Sequence, residues 1–156
     1  MDQTAHYREP GPLTRRLLNP FVVLLMRLGL SVWGSRILEV RGRTSGEPRH
    51  TPVNLLEVDG RQYLVAPRGE AQWVRNVRAD GGRLTLVLGR RRDERVAHEL
   101  SDGEKGPILR AYLRRWKMEV GVFFDGVTAD SQEIDVERIA PQHPVFLLSQ
   151  KPVAVP

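Results

Sequence analysis

The chain has 156 residues, of which 40% are hydrophobic and 28% are charged. This length fits a single domain with a sizeable core, and the composition argues against disorder and against a membrane protein with several spans. The net charge of +5 favours an acidic partner without identifying it. The absence of cysteine excludes disulfides, thiolate nucleophiles, thiolate metal sites and iron–sulfur clusters, and it is compatible with a cytoplasmic location.

Arginine accounts for 21 of the 24 basic residues. GC-rich codon usage explains such a ratio, and so does selection for bidentate binding of phosphate or carboxylate groups. The four histidines are scattered without the spacing of a zinc hydrolase, so no metal site is expected.

Residues 13–33 form a strongly apolar stretch that arginines and a proline interrupt, which makes it too broken to span a bilayer. No cleavage pattern of small residues follows it, so a removed signal peptide is not expected. We predict an N-terminal segment, residues 1–35, that carries an amphipathic helix. Its arginines leave two roles open: the helix packs on the domain, which we favour, or it makes peripheral contact with a membrane.

From residue 36 onwards, short β-type runs alternate with turn signals, and residues 36–156 are predicted to form the single folded domain. Asp59 and Gly60 give a strong hairpin turn, and a second hairpin has a charged connection at residues 90–94. The predicted strands cover residues 37–40, 51–58, 62–66, 84–88, 96–100 and 145–148.

Three helices are predicted between these strands. The first covers residues 70–79, the second follows a capping box at Ser101 and Glu104, and the third covers residues 131–139. About six short strands with helices outside them predict an α+β fold built on a small, closed or half-closed antiparallel barrel.

The first segment suited to chemistry is residues 42–49, between two strands. Gly42 and Gly46 permit tight turns whose N–H groups can converge on an anion, although a solvated hairpin loop explains the pattern equally well. The side chains that would complete an anion site are Arg43, Thr44, Ser45 and Arg49.

The second segment is residues 67–78, where a strand end delivers Arg68 to the start of a helix that carries Arg75 and Arg78. A solvated face explains these helical arginines equally well, and Trp73 is more typical of core packing than of a binding site. A third segment places Phe123 and Phe124 between glycines, where we predict part of a substrate pocket.

Three common catalytic arrangements are missing from the sequence: a nucleophile elbow, a pair of catalytic carboxylates and a Ser/His/Asp set. An enzyme built from these segments would therefore bind a cofactor that does the chemistry itself.

Residues 38–79 resemble the signature region of the deazaflavin-dependent nitroreductase family, which includes the F420-type quinone reductases. The resemblance rests on the run from Gly42 to Arg49, on the following Thr51-Pro52-Val53, and on Trp73 with Asn76. It continues through residues 111–127 to the C-terminal strand. It implies a split β-barrel and hydride transfer from reduced coenzyme F420, a deazaflavin with an oligoglutamate tail, to a small-molecule acceptor: a quinone, an enone or a nitro compound.

The resemblance also implies which residues contact the cofactor, while no catalytic side chain is assigned. The phosphate and glutamates would face Arg43, Arg49, Arg68, Arg75 and Arg78. The full set of implied cofactor contacts is Arg43, Thr44, Ser45, Arg49, His50, Thr51, Pro52, Val53, Asn54, Val65, Ala66, Pro67, Arg68, Gln72, Trp73, Val74, Arg75 and Asn76.

Two departures from the family pattern bear on the substrate. Arg68-Gly69-Glu70 replaces a common Lys-Gly-Gly, and phenylalanines replace the tyrosines that some nitroimidazole-activating members carry late in the chain. Quinone or enone reduction is therefore expected ahead of nitroimidazole reduction. The alternatives are an FMN-dependent reductase on the same barrel and a carrier of deazaflavin or lipid without turnover; nucleic-acid binding is not expected, since the arginines are not interleaved with aromatic residues of an RNA-binding sheet.

Overall fold

The structure of the protein, a computed structural model, describes residues 34–152 and all of their side chains except those of residues 117–119. The predicted amphipathic helix lies outside these residues, so its two proposed roles stay predictions. Among the described residues, no helix combines the length and the apolar character needed to cross a membrane.

Six antiparallel strands close into a barrel, which confirms the fold expected from the sequence. The spatial order is β1-β2-β3-β6-β5-β4, and β4 pairs with β1 to complete the ring. The strands are β1 (Ser35–Arg41), β2 (Pro48–Val58), β3 (Arg61–Val65), β4 (Arg83–Leu88), β5 (Arg91–Glu99) and β6 (Val145–Gln150).

Two strands begin three or more residues earlier than predicted. Strand β2 starts at Pro48, and β5 starts at Arg91, so the charged segment expected in a connection belongs to a strand. Ion pairs make this possible: Asp93 binds Arg95 at 2.6 Å within β5, and Arg92 binds Glu39 of β1 at 2.6 Å. Arg92 and Asp93, in a segment whose pattern is typical of a loop, form ion pairs with neighbouring residues of the sheet instead.

The barrel interior is a closed apolar core. Leu38, Leu64 and Phe146 are almost fully buried there, since alternate strand residues face inward. Helix α1 (Gln72–Ala79) adds its buried face to this core, with Val74 and Val77 at 0% exposure. Helix α1 is therefore fixed to the barrel by its apolar side.

A second core lies outside the barrel. Helix α2 (Gly106–Val120) packs Tyr112 and Trp116 in one apolar cluster with the outer face of β2 and β3. The predicted capping box is present, because Glu104 accepts the N–H of Ser101 at 2.9 Å, which holds the pKa of Glu104 below its usual range. It begins a single 3-10 turn, and α2 follows it.

The remaining elements of residues 34–152 are helix α3 (Glu133–Ile139), which begins two residues later than predicted, and three short 3-10 helices. These cover Asp102–Glu104, Gly121–Phe123 and Ala140–Gln142.

Gly82 lies between α1 and β4, where the backbone approaches β5 closely. Its φ is +83°, and a Cβ at this position would lie 2.3 Å from the carbonyl oxygen of Ala97. We expect Gly82→Ala to lower the free energy of unfolding by about 3 kcal/mol, from the left-handed backbone and from the clash together.

Gly81 provides the matched control for this substitution. Its φ is +64°, but nothing lies within 4 Å of an added Cβ, so Gly81→Ala should lose only about 1–2 kcal/mol. Urea unfolding measures both values. Equal losses in the two variants would contradict the close approach of the two backbones.

Candidate functional site

The β1–β2 loop, residues 42–47, is a compact turn. The N–H of Gly42 donates to the carbonyl of Glu47 at 2.8 Å, and the N–H of Gly46 donates to the carbonyl of Gly42 at 2.9 Å. Ser45 Oγ accepts the N–H of Glu47 at 3.2 Å and Nη2 of Arg49 at 3.3 Å. These hydrogen bonds all lie within residues 42–49, so they fix the conformation of the segment that was predicted to bind an anion.

Arg43 joins this loop to helix α1. Its backbone N–H and its Nη1 both donate to Asn76 Oδ1, at 3.2 and 2.8 Å, and its Nη2 donates to Gln72 Oε1 at 2.9 Å. The two segments singled out in the sequence therefore meet in space. Both acceptors are uncharged amide oxygens, so these hydrogen bonds leave the positive charge of Arg43 uncompensated.

A polar cleft of about 390 Å³ lies between the loop and the C-terminal half of α1. Among its lining residues, Asp80 is the single acid, and its carboxylate pairs with Arg83 at 2.9 Å. Cationic and hydroxyl side chains on the remaining wall suit an anionic ligand. The lining consists of Arg41, Gly42, Arg43, Thr44, Ser45, Gly46, Asn76, Ala79 and Asp80.

Three of these lining residues were not predicted from the sequence: Arg41, Ala79 and Asp80. Arg41 ends β1 just before the loop, and Asp80 is the C-cap of α1. Only the contact between the loop and the end of α1 brings them together. In the sequence, the feature that could have indicated these three residues is their position directly beside the two predicted segments.

Arg78, which was predicted to face the cofactor, has carboxylate partners in the structure. Its Nε and Nη2 donate to Glu99 at 2.8 and 2.6 Å, and its Nη1 donates to Glu70 at 2.6 Å. The hydrogen bond to Glu99 is the largest cause that holds the pKa of Arg78 above its usual range. Two carboxylates compensate this guanidinium and connect α1 to β5, which argues against the predicted role of Arg78 toward a cofactor.

We expect this cluster to stabilise the fold measurably. In a double-mutant cycle of Arg78→Met and Glu99→Gln, urea unfolding should give a coupling energy of about 1–2 kcal/mol, because the pair is bidentate and only partly exposed. The exposed pair Arg138 and Asp135, at 3.9 Å, is the control and should couple by less than about 0.5 kcal/mol. Similar coupling in the two cycles would contradict this interpretation.

The two adjacent phenylalanines have different environments. Phe123 is half-buried, and the guanidinium of Arg68 lies 5.0 Å from its ring centroid. Phe124 has 0% exposure and stacks on His143 with 4.2 Å between ring centroids. The 3-10 turn at Gly121–Phe123 directs the Phe124 side chain into the core, which argues against the substrate-pocket role predicted for it.

Five of the predicted cofactor contacts are buried: Val65, Ala66, Trp73, Val74 and Asn76. Trp73 packs against Phe146, with ring centroids 5.7 Å apart, which agrees with its reading as a core residue. The apolar residues Val65, Ala66 and Val74 are at most 5% exposed, so they could reach a ligand mainly through backbone atoms, whereas Asn76 lines the polar cleft.

The other predicted contacts remain accessible in part. Arg43, Thr44, Ser45, Arg49, His50, Pro52 and Gln72 are exposed, and Thr51, Val53, Asn54, Pro67, Arg68 and Arg75 are half-buried. His50 differs from its neighbours because its Nε2 lies 2.9 Å from Glu39 Oε2, on the outer face of the barrel.

Glu39 is the centre of a small charged cluster beside the loop. Hydrogen bonding from Arg92 is the main cause that lowers the pKa of Glu39, and the contact with His50 adds to it. A carboxyl group with a lowered pKa in the folded state stabilises the fold above its ordinary pKa. This contribution is lost as the pH falls through the lowered pKa of Glu39, so Glu39 is ionised and stabilising at neutral pH.

Comparison with known proteins assigns the family. Residues 21–128 match the model of the F420H2-dependent quinone reductase family, which covers more than half of the chain. The comparison with curated proteins gave no match.

Solved structures share the barrel. An F420-H2 dependent reductase, FDR-A, has 19% identity and a TM-score of 0.53 over 74% of this chain and 94% of its own. A conserved hypothetical protein from Mycobacterium tuberculosis, Rv2991, has 17% identity and a TM-score of 0.52 over 97% of this chain and 87% of its own. At these identities the likeness shows the fold, while the family match carries the assignment.

The predicted split barrel, the arginine-containing loop against α1 and the family match agree with one another. The chain belongs to the F420H2-dependent quinone reductase family and is an oxidoreductase that uses coenzyme F420.

Proposed function

We propose that this protein transfers a hydride from reduced F420 to an electron-poor small molecule, with quinones as the favoured class and enones next. The observation that carries the proposal is the guanidinium of Arg43, held beside Thr44 and Ser45 by uncharged partners. Such a donor set suits phosphate and carboxylate groups, the anionic parts of the coenzyme.

The residues of the cleft, together with Arg49, which hydrogen bonds to the cleft residue Ser45, fit these anionic groups. Arg43 and Arg49 both use neutral oxygens as hydrogen-bond partners, Asn76 and Gln72 for the first and Ser45 for the second. We propose that the phosphate binds to Arg43, Thr44, Ser45 and Arg49. The implied contacts of residues 50–54 and 65–68 with the deazaflavin remain proposals that rest on the family resemblance.

The bound coenzyme would supply the hydride, and the protein would supply charge, position and exclusion of water. Two guanidinium groups, Arg43 on the loop and Arg49 at the start of β2, favour one orientation of a ligand that carries several negative charges. No side chain is assigned as proton donor; the hydroxyls of Ser45 and Thr51, and solvent, are the candidates. An orienting role is consistent with a sequence that lacks the common catalytic sets.

We propose that the acceptor binds beside Phe123. This ring is half-buried, and the cation of Arg68 lies over it, so an apolar surface and a positive charge adjoin. A planar, electron-poor acceptor whose oxygen gains negative charge on reduction suits this combination. A phenylalanine offers no hydroxyl to a nitro group, so nitro compounds should be the poorest substrates.

An acceptor screen tests the proposal. Purified protein is mixed anaerobically with reduced F420 and with a quinone, an enone or a nitro compound, and coenzyme oxidation is followed by its absorbance. We expect the rates to fall in that order. Saturable binding of F420 without reduction of any acceptor would show a carrier, and tighter binding of FMN than of F420 would overturn the choice of coenzyme.

A peripheral membrane contact of residues 13–33 is a separate proposal, favoured by the apolar nature of quinones and by the arginines of that segment. Flotation of the full chain with anionic vesicles tests it. Recovery of the protein only in the soluble fraction would contradict it.

A further inference from the structure

We infer that Asn76, assisted by Gln72, is a positioning residue that fixes the β1–β2 loop and leaves the positive charge of Arg43 uncompensated. The inference rests on the proposed role of Arg43 toward the anionic part of F420. Asn76 hydrogen bonds to Arg43 and would act on the ligand through it, whereas the family resemblance implies a direct contact between Asn76 and the cofactor.

The geometry concentrates two hydrogen bonds on a single atom. Asn76 Oδ1 accepts the backbone N–H of Arg43 at 3.2 Å and its Nη1 at 2.8 Å. One contact fixes the main chain of the loop and the other fixes the guanidinium. A single side chain therefore controls both the place where the loop rests and the direction of its charge.

Asn76 is well suited to this task because it does not move independently of the core. Its side chain is 5% exposed, and it lies on α1 between Val74 and Val77, which have 0% exposure. Gln72 lies one turn earlier and accepts the second terminal nitrogen of Arg43 at 2.9 Å. Arg43 is itself exposed, but its hydrogen bonds to Asn76 and Gln72 connect it to a helix that is fixed on the barrel core.

The uncharged nature of both acceptors is the second half of the inference. Other arginines of the described residues are held by carboxylates: Arg78 by Glu70 and Glu99, and Arg92 by Glu39. A carboxylate at position 76 would hold Arg43 in the same place but would compensate its charge. An amide holds the guanidinium and leaves the charge available to a ligand.

The substitution Asn76→Asp separates these two functions, since aspartate has the same shape and keeps the acceptor oxygen. We expect amide hydrogen exchange of Arg43 to remain slow in Asn76→Asp and to become fast in Asn76→Ala. The dissociation constant of oxidised F420, measured by fluorescence titration at low salt, should rise about tenfold or more in both variants.

The matched control is Gln132→Glu, which makes the same change from amide to carboxylate at an exposed position before α3. Gln132→Glu should change neither the amide hydrogen exchange of Arg43 nor the affinity for F420. Gln72→Glu is a second test at an exposed position, in case Asn76→Asp does not fold, and it should weaken binding several-fold.

Each result decides one part of the inference. Wild-type affinity for F420 in Asn76→Asp, together with slow amide exchange of Arg43, would overturn the argument about charge. If Asn76→Asp does not fold, wild-type affinity in Gln72→Glu would overturn it. Slow amide exchange of Arg43 in Asn76→Ala would overturn the positioning role. A wild-type protein that binds no F420 would refute the proposed function instead, and the exchange experiment would still test the contact between Asn76 and Arg43.

Discussion

Replacing Arg43 by Gln should raise the dissociation constant of F420 by about tenfold to a hundredfold. Gln is polar and retains a donor, but it removes the charge that Asn76 and Gln72 leave uncompensated. Fluorescence titration with oxidised F420 measures the change. The difference between the variant and the wild type should shrink as salt is added, because screening weakens exposed charge interactions.

The control for Arg43→Gln is Arg90→Gln, which removes the same charge from the exposed turn between β4 and β5. Its affinity should stay within about twofold of the wild-type value, since a screened charge away from the cleft contributes little. Equal losses in both variants would mean that net charge, and not the β1–β2 loop, determines the affinity.

Replacing Phe124 by Ala should lower the free energy of unfolding by about 3–5 kcal/mol, a loss large enough to leave a small domain marginally folded. The ring is fully buried, stacks on His143 and lies 6.2 Å from the ring centroid of Tyr112. Its removal would leave a cavity in the outer core. Urea unfolding measures this loss, provided that the dependence of the unfolding free energy on urea concentration is the same in the variant and the wild type.

Val122 offers the contrasting position two residues earlier. Its side chain is 73% exposed, so Val122→Ala should change the free energy of unfolding by less than about 0.5 kcal/mol. If Phe124→Ala were as stable as Val122→Ala, Phe124 would not be a core residue, and the predicted pocket role would return.

Local patterns were enough to predict the barrel. Alternating apolar residues, the Asp59-Gly60 turn and the capping box at Ser101 each act over a few residues, and the strands and helices they predict are present. The failures have a different origin. Residues 91–94 look like a charged loop because their partners, such as Glu39, lie on strands far away in sequence.

The same distinction explains the site. The two segments that meet at the cleft were predicted, since glycines and arginines in a loop are a local signal. Whether an arginine is available to a ligand depends on its partners, which local patterns do not show. Arg43 has amide partners and Arg78 has carboxylate partners, although both looked alike in the sequence.

Phe123 and Phe124 show that sequence patterns do not predict the direction of a single side chain. Both are aromatic and lie near glycines, which favoured a flexible pocket element. The end of α2 and the following 3-10 turn send one ring toward Arg68 and the other into the core. The direction of a side chain after a helix end depends on backbone angles that no periodicity specifies.

The most direct measurement is the anaerobic oxidation of reduced F420 by a quinone in the presence of the purified protein, followed by deazaflavin absorbance. The wild-type rate should be proportional to protein concentration and should saturate with F420, and Arg43→Gln should require a higher F420 concentration for half-saturation. A rate equal to that of the quinone and reduced F420 without protein would contradict the assignment of this chain as a reductase.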